Sequence, residues 1–590
     1  MSLQAASSIA TSALLTTQVQ LDLASANIAN ADTAGYTRKT ATQVSLVTGG
    51  SSSGTAITGI TGNVDRLLLK SLVGATTQLG AATATESYAD QLQSLLGSTT
   101  DGTGGTGTSL ANTIAALETA LGQLADTPES DTLKAQAVQA VDAVAAQLRS
   151  TSAGIQGLRG DADATIASDV GTVNDDLATI HDLNGAIAQA AARGDPTADL
   201  EDQRNTALQD IATKMDVAYY VDGNDQMKVY TSGGQPLLDG QVHELSYAAA
   251  ATVTADTSYA AGAASSGISA VTVDGTDITG QIRSGDIGAL ITQRDSVLPA
   301  AQDQLDTLAQ GLIGALNAAH NQGTAVPAPT SLTGTTTTSA SAAFSGSGTV
   351  RLAVTDSSGN LVSSGDLDLS AYATVGDLVG AINGISGLSA SIDSLGRLTI
   401  SSTNAADGVS IAGSGDTVGS AGQGFSDWFG LNDLLTGTGA SDVAVRADIL
   451  ATPSLMATAS LSATGKPATG SQVITSGSST IATALASAMT GSRTFAAAGS
   501  LGLTKTSFAD YASDIVSTIA MAAAQASGAL TTKTSAQSAL AASLSSETGV
   551  NVDQEVARLS QLQNIYSGAG QVLATVNKMF DALMSAVSTT

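Results

Sequence analysis

The chain has 590 residues, of which 22 are basic and 51 acidic, a formal net charge of −29, and it contains no cysteine. Missing cysteine excludes disulfides, thiolate metal sites and cysteine nucleophiles, and the acidic excess argues against nucleic-acid binding, which needs a basic face. With 43% hydrophobic residues but only 3% aromatics, the chain packs small side chains and lacks the aromatic-lined pocket of many ligand sites.

A length of 590 residues suggests about four domains at roughly 150 residues each. The first basic residue is Arg38, so no basic n-region of a secretory signal opens the chain. No run approaches the ~18 apolar residues of a membrane span. On these facts alone the chain reads as cytoplasmic.

In chain order, Leu3, Ala10, Thr17 and Ala24 recur every seven residues, with Leu14, Leu21 and Ile28 in the companion register. This is a small-residue seam suited to close helix packing. Residues 109–150 predict helices with a break at Thr127-Pro128, and a further helix covers about 161–193. Over 216–283, strand formers flank the Asp222-Gly223-Asn224-Asp225 turn, a hairpin signature. Leu298, Leu305, Leu312 and Ala319 begin another heptad that ends near Gly323. The segment 326–504 is rich in Ser, Thr, Gly and Ala. Within it, Val350, Leu352 and Val354 alternate as a half-buried strand. Val375, Leu378, Val379 and Ile382 then follow helical spacing, with Thr374 and Asp377 as a capping pair, and Leu398 and Ile400 return to strand alternation. This strand–helix–strand pattern predicts a folded outer domain. At the C-terminus, Val552, Leu559, Tyr566, Leu573, Phe580 and Val587 are spaced by seven, and Leu562, Ala569, Val576 and Leu583 follow three later. The stretch makes a helix of roughly 54 Å.

Motifs with chemical connotations lack their contexts. Gly102–Gly107 matches G-x-G-x-x-G but follows no strand, so it reads as a loop rather than a phosphate cradle. Gly50-Ser51-Ser52-Ser53-Gly54 matches the nucleophile-elbow pattern with no hydrophobic strand leading in. The acidic clusters Asp222–Asp225, Asp274–Asp277 and Asp356–Asn360 lack the bidentate Glu of a calcium loop and read as hairpin turns. His181, His243 and His320 leave little for zinc or an acid/base pair, and His243-Glu244 lacks a second histidine. The expectation is a chain with no catalytic residue, metal or cofactor.

The run Asn27-Ile28-Ala29-Asn30-Ala31-Asp32-Thr33-Ala34-Gly35-Tyr36-Thr37-Arg38 directly follows the N-terminal seam. It resembles the signature of bacterial flagellar axial proteins, the rod, hook and hook-associated proteins. Its Tyr-Thr-Arg ending is most similar to the FlgK family of hook-associated proteins. Rod and hook proteins more often place a lysine after the Gly-aromatic pair, and flagellins lack the Asn-rich loop. Four further stretches resemble the same family: Leu183-Asn184 through Asp202-Gln203-Arg204-Asn205, Ser232 through Leu238, Asp286 through Pro299, and Gly549 through Glu555 with the terminal heptad. The resemblance covers about 1–325 and 505–590, and 326–504 shares only its general style.

The resemblance implies a multidomain α+β fold: a terminal α-helical coiled-coil pair, a helical body and β-rich inserted outer domains. The boundaries it suggests are 1–36 for the first coiled-coil helix and turn, 37–215 for the helical body and 216–283 for a β-rich insert. They continue with 284–325 for a long helix of the body, 326–504 for the outer domain and 505–590 for the C-terminal helices. It implies a structural role joining hook to filament, outside the cell, after export through the type III apparatus without a cleaved signal. Implied partners are other copies in a helical ring, hook protein, a second hook-associated protein on the filament side and an export chaperone, with no nucleic acid and no membrane span. Assembly contacts are expected at Leu14, Leu21, Asn27, Ile28, Asn30, Thr33, Gly35, Tyr36 and Arg38. On the C-terminal helix they are expected at Val552, Leu559, Leu562, Tyr566, Leu573, Val576, Phe580 and Leu583. Neither terminal helix holds itself together alone, so both ends are expected to be largely disordered in the free monomer. Gly35→Val is expected to spare monomer stability but block incorporation. Another axial protein, such as hook protein or a flagellin-like subunit, is the nearest alternative, and a secreted adhesin a more distant one.

Overall fold

The computed structural model describes residues 3–48, 50–98, 100, 107–261, 267–463 and 465–588. Helix α1 (Leu3–Ala29) leads into a long hairpin, β1 (Lys39–Thr48) and β2 (Ser51–Gly62). The register runs from Lys39↔Gly62 to Thr48↔Ser51, with irregularities at Thr42/Gln43 and Leu46/Val47. The reading of everything from 37 to 215 as helical body is therefore corrected, because 39–62 form a ribbon. The strands, rich in Thr with Val44 and Val47 in β1 and Ile57 and Ile60 in β2, suit a pleated surface, but their Ser/Gly-rich turn masked the pairing. The ribbon lies along α1: Ser12 Oγ accepts the Thr55 amide at 3.2 Å, and Gln20 Nε2 donates to Gln43 Oε1 at 2.8 Å.

The body starts at α2 (Arg66–Leu96), where the Asp65 carboxylate accepts from the Leu67 and Leu68 amides. Helix α3 (Leu110–Asp126) ends at the Thr127-Pro128 break, and Ser130 caps α4 (Asp131–Arg193). At 63 residues, α4 spans about 94 Å and ends where Gly194 takes a left-handed φ of +76°. Residues 151–160, left between two predicted helices, belong to it. Glycines at 154, 157 and 160 lower local helix propensity, but buried Ile155, Leu158 and Arg159 hold the turn from outside. A Cβ at position 154 would meet the Leu95 side chain at 2.6 Å, so glycine lets α2 approach α4.

Next come α5 (Ala198–Lys214), the three-stranded sheet of β3 (Val217–Val221), β4 (Met227–Thr231) and β5 (Pro236–Leu238), and a smaller sheet of β6 (Leu245–Ser246), β7 (Thr272–Val273) and β8 (Thr276–Asp277). Asp222 caps the β3–β4 turn by accepting the Asn224 and Gln226 amides at 2.8 and 3.0 Å. Asp274 takes φ +49° in the β7–β8 turn. Buried Asn184 of α4 braces the first hairpin, pairing with both backbone groups of Met227 and accepting from Arg204 at 2.9 Å. The helix before the outer domain is α6 (Gly285–Thr292), a wider π-type turn over Gln293–Val297, and α7 (Leu298–His320). Arg294 on that turn is fully buried and donates to Asp163 Oδ1 at 2.9 Å. Asp163 also accepts the Ala250 amide and the Tyr247 hydroxyl. An insert loop is thereby tied to α4 by a satisfied buried charge pair.

The outer module comprises β9 (Ser331–Thr337), β10 (Gly346–Thr355), β11 (Leu361–Asp368), α8 (Val375–Asn383), β12 (Leu388–Ile392), β13 (Arg397–Ser402) and β14 (Gly408–Val418). Two antiparallel sheets, ordered β11-β10-β14 and β12-β13-β9, enclose a separate core with α8 and short α9 (Phe425–Phe429). The Thr374/Asp377 capping box is present, and Asp356 closes the β10–β11 turn by accepting the Ser358 and Asn360 amides. Strand β10 is buried on both faces from Val350 to Thr355 rather than half-buried, because Ala459, Leu461 and Ile474 cover its reverse side.

This separate core ends near Leu431. From Leu434 onward the chain repacks into the body core, through β15 (Leu435–Thr436), β16 (Ala444–Val445), α10 (Ala447–Ala451), α11 (Thr480–Thr490), β17 (Arg493–Phe495) and β18 (Thr504–Thr506), apart from Ala459, Leu461 and Ile474, which return to cover β10. The outer unit is thus shorter than 326–504, since buried Leu434, Val443, Ile481 and Leu485 face the helices. Helix α12 (Phe508–Thr548) packs along α2, and α13 (Val552–Ser588) runs back along α1. One window of 18 residues within Phe508–Val587 reaches a mean hydropathy of 1.2 and is by length and composition able to cross a bilayer.

Candidate assembly interface

Helices α1 and α13 form a two-helix rod. Ala10, Thr17 and Ala24 of α1 and Leu562 and Val576 of α13 are buried. Leu14, Leu21, Ile28, Leu559, Leu573 and Phe580 are half-buried. The rest of α13's apolar surface points outward: Val552, Tyr566 and Leu583 are 43%, 41% and 53% exposed, joined by Ile565, Val572, Met579 and Met584. Leu15 and Val19 continue the exposed surface on α1. Large apolar side chains left exposed repeatedly along one helix are the kind of surface that marks a protein or membrane contact.

Where the rod meets the body, the Asn27–Lys39 segment acts as a clasp. Asn27 is buried and pairs with Lys39 as a strand residue would: Nδ2 donates to the Lys39 carbonyl and Oδ1 accepts the Lys39 amide, each at 3.0 Å. The Tyr36 hydroxyl donates to the same Oδ1 at 3.0 Å. Desolvation, then the charges of Asp199, Asp202 and Glu555, push the Tyr36 phenol up to about 12, so it stays a donor at neutral pH. Asn30 bonds back to the Ala26 carbonyl at 2.9 Å, while Thr33 and Gly35 are exposed. Gly35 has φ +80°, and a Cβ there would lie 2.7 Å from Thr206 Oγ1. The expectation that Gly35→Val spares the monomer is therefore corrected, since a branched side chain meets both backbone strain and α5.

The clasp reaches two distant elements. Asp202 of α5 accepts the Thr37 amide and hydroxyl, each at 2.9 Å, and pairs with Lys39 Nζ, whose side chain is 2% exposed. Lys39 Nζ also lies 4.6 Å above the Tyr36 ring, a cation–π contact. On the other side, Arg38 donates to Glu555 Oε1 at 2.6 Å, and its amide bonds the Thr548 carbonyl at 2.7 Å. Asn63 Nδ2 bonds the Glu547 carbonyl at 3.1 Å. Four consecutive residues thus tie α1, α5 and the α12–α13 corner together. Of the expected contact residues, Asn27, Tyr36 and Arg38 work inside this clasp, and the rod residues line the α1–α13 seam or its outer face.

Sequence reasoning gave no role to Thr37, Lys39, Asp202, Thr548 or Glu555. The local signal was a lone lysine next to Arg38 in a chain of few cations, and nothing local pairs residue 39 with residue 202.

The residues with chemical connotations occupy structural settings. Ser52 lies in the β1–β2 hairpin rather than on a strand-to-helix turn, and residues 102–106 of the glycine-rich motif lie outside the described residues. His243 is held between Asp239 and Asp274, at 3.1 and 2.6 Å. His320 is wholly buried, its Nδ1–H donating to the Asn432 carbonyl at 2.6 Å and its Nε2 accepting the Ala457 amide at 2.8 Å. Burial holds its pKa down to about 4. Among the described residues no group of His, Asp and Glu is arranged to hold a metal ion.

The FlgK helical-domain family model, described as that of a flagellar hook-associated protein, matches residues 89–334, and the flagella basal body rod protein model matches residues 8–37. No curated protein matches. A similar solved structure is the flagellar hook junction protein FlgK from Burkholderia pseudomallei, with 18% identity, a TM-score of 0.49, and coverage of 80% of this chain and 98% of that one. The rod model falls on α1 and the clasp and the FlgK model on the body behind them, so the chain carries a helical domain similar to that of FlgK hook-associated proteins behind a segment similar to flagellar rod proteins.

Proposed function

We propose that this chain is the structural junction between hook and filament, a ring of copies built around paired terminal helices. The observation that carries this reading is the α1–α13 rod, with an outward apolar face that one chain leaves uncovered, clasped rigidly to a FlgK-type body. In this account the rods of neighbouring copies cover each other's apolar faces, and Thr33 and Gly35 lie at the turn between rod and body. Hook protein contacts one end of the ring and a second hook-associated protein the other. The chain acts outside the cell after threading unfolded through the flagellar export apparatus with a chaperone, and a chain without disulfides suits that route. We read α12 as a body helix packed on α2 rather than a membrane span. Its role is mechanical rather than enzymatic and needs no cofactor.

Electron microscopy of a strain lacking the chain tests this. Hooks without filaments, with filament protein released into the medium, are the expected result. Normal filaments on normal hooks would refute the junction role.

A further inference from the structure

The body carries a cationic groove that its own chain leaves unfilled. A cavity of about 390 Å³ lies between the first turns of α2, helix α5 and strand β3, lined by Arg66, Lys70, Glu201, Arg204 and Tyr219. A second, of about 320 Å³, continues from Lys70 and Tyr219 along α2 to Thr77. Strand β3 borders both as the outer strand of its sheet, paired on one side with β4.

The charges along this groove are unequal in their commitments. Arg66 and Lys70 are exposed and make no ion pair or hydrogen bond among the described residues. Arg204 is 4% exposed, and its two bonds, to Asn184 Oδ1 and the Asp225 carbonyl, both leave from Nη1. Its Nε has no partner. The acids nearby are already engaged: Glu201 accepts from the Thr197 hydroxyl at 2.6 Å, and Asp216 caps the Arg283 and Ser284 amides. Leu67, 80% exposed, and Tyr220, 53% exposed, flank the cations. A cationic floor with an apolar and aromatic edge has the anatomy of a protein contact centred on a carboxylate.

We infer that this groove receives a carboxylate-bearing segment of a second copy of the chain. Charge complementarity favours this occupant: a chain of net charge −29 meets its copies with strong mutual repulsion, and assembly needs unspent cations where the copies touch. Arg66, Lys70 and Arg204 supply them beside the clasp, at the level where rod joins body. The inference rests on the self-assembling junction role proposed above.

The test is zero-length carbodiimide crosslinking of full-length chain assembled on isolated hooks, using a mixture of ordinary and 15N-labelled copies. Lys70 is expected to form an amide with an Asp or Glu of a differently labelled copy, read by mass spectrometry. The Arg66→Gln/Lys70→Gln double variant, altered only at exposed positions, is expected to keep its monomer melting temperature and lose at least tenfold in assembled copies. Assembly without an inter-copy Lys70 crosslink, a Lys70 crosslink to hook protein alone, or wild-type assembly by the double variant would each overturn the inference. Failure of the unaltered chain to assemble on hooks would instead overturn the junction role, and with it this contact.

Discussion

Replacing Asp202 by Asn probes the clasp most sharply. In the native chain the carboxylate meets Lys39 Nζ and the Thr37 amide and hydroxyl, and the two charged side chains are 9% and 2% exposed. Asparagine fills almost the same space but removes the nearer counter-charge, leaving Lys39 buried with neutral acceptors at Thr37 and Ala198 and the exposed, solvent-screened Asp199 carboxylate at 3.7 Å. Breaking one partner of a buried pair costs about 3–5 kcal/mol. If that cost falls on the opening of the clasp, the Thr37 and Lys39 amides should exchange with solvent about 10²- to 4 × 10³-fold faster, at 1.4 kcal/mol per tenfold. Hydrogen exchange read by NMR or mass spectrometry over residues 36–42 measures this directly, with α4 as internal reference. A Lys39→Met/Asp202→Leu double variant should recover much of the loss, because apolar replacement of a buried pair is often near neutral. Unchanged exchange in Asp202→Asn would refute the view that this pair holds rod to body.

Three further outcomes follow from the geometry. Gly35→Ala, at φ +80° and 2.7 Å from Thr206 Oγ1, should destabilise the clasp by about 1–2 kcal/mol, seen as faster exchange at Tyr36, and an unaltered clasp would contradict it. His320 folds with a pKa near 4, below its ordinary value of 6.5, so the unfolded chain takes up the proton first as pH falls. Stability should therefore drop by about 3 kcal/mol from above pH 6.5 to pH 4, a slope that denaturant titrations should find missing in His320→Gln. In the isolated monomer, residues of the thinly buried α1–α13 rod should exchange far faster than those of α4, and equal protection would argue against a rod completed by neighbouring copies.

How much of this was legible in the sequence depended on how local the physics is. The terminal heptads, the Thr127-Pro128 break, the Thr374 cap and the Asp222, Asp274 and Asp356 turns are settled by spacing and by side chains bonding their own backbone, so they could be read directly. The β1–β2 ribbon could not, because its strands are held by α1 rather than by a strong apolar alternation of their own. The glycine-rich 151–160 turn is helical only because its neighbours bury it. The clasp shows both cases. The Asn-rich turn and Gly35 announce themselves within twelve residues, whereas the Lys39–Asp202 and Arg38–Glu555 pairs close over 163 and 517 positions. The end of the outer module was misplaced for a similar reason: Leu434 and Ile481 look like the Ser/Thr/Gly-rich segment around them but pack into the helical core.

The central claim is that the chain occupies one place, the boundary between hook and filament. An epitope inserted in the exposed turn at Asn404–Ala406 of the outer module and labelled with gold in the electron microscope tests it directly. The account predicts a single narrow band where hook meets filament. Gold spread along the whole hook or the whole filament would contradict it and identify the chain as a subunit of that segment instead.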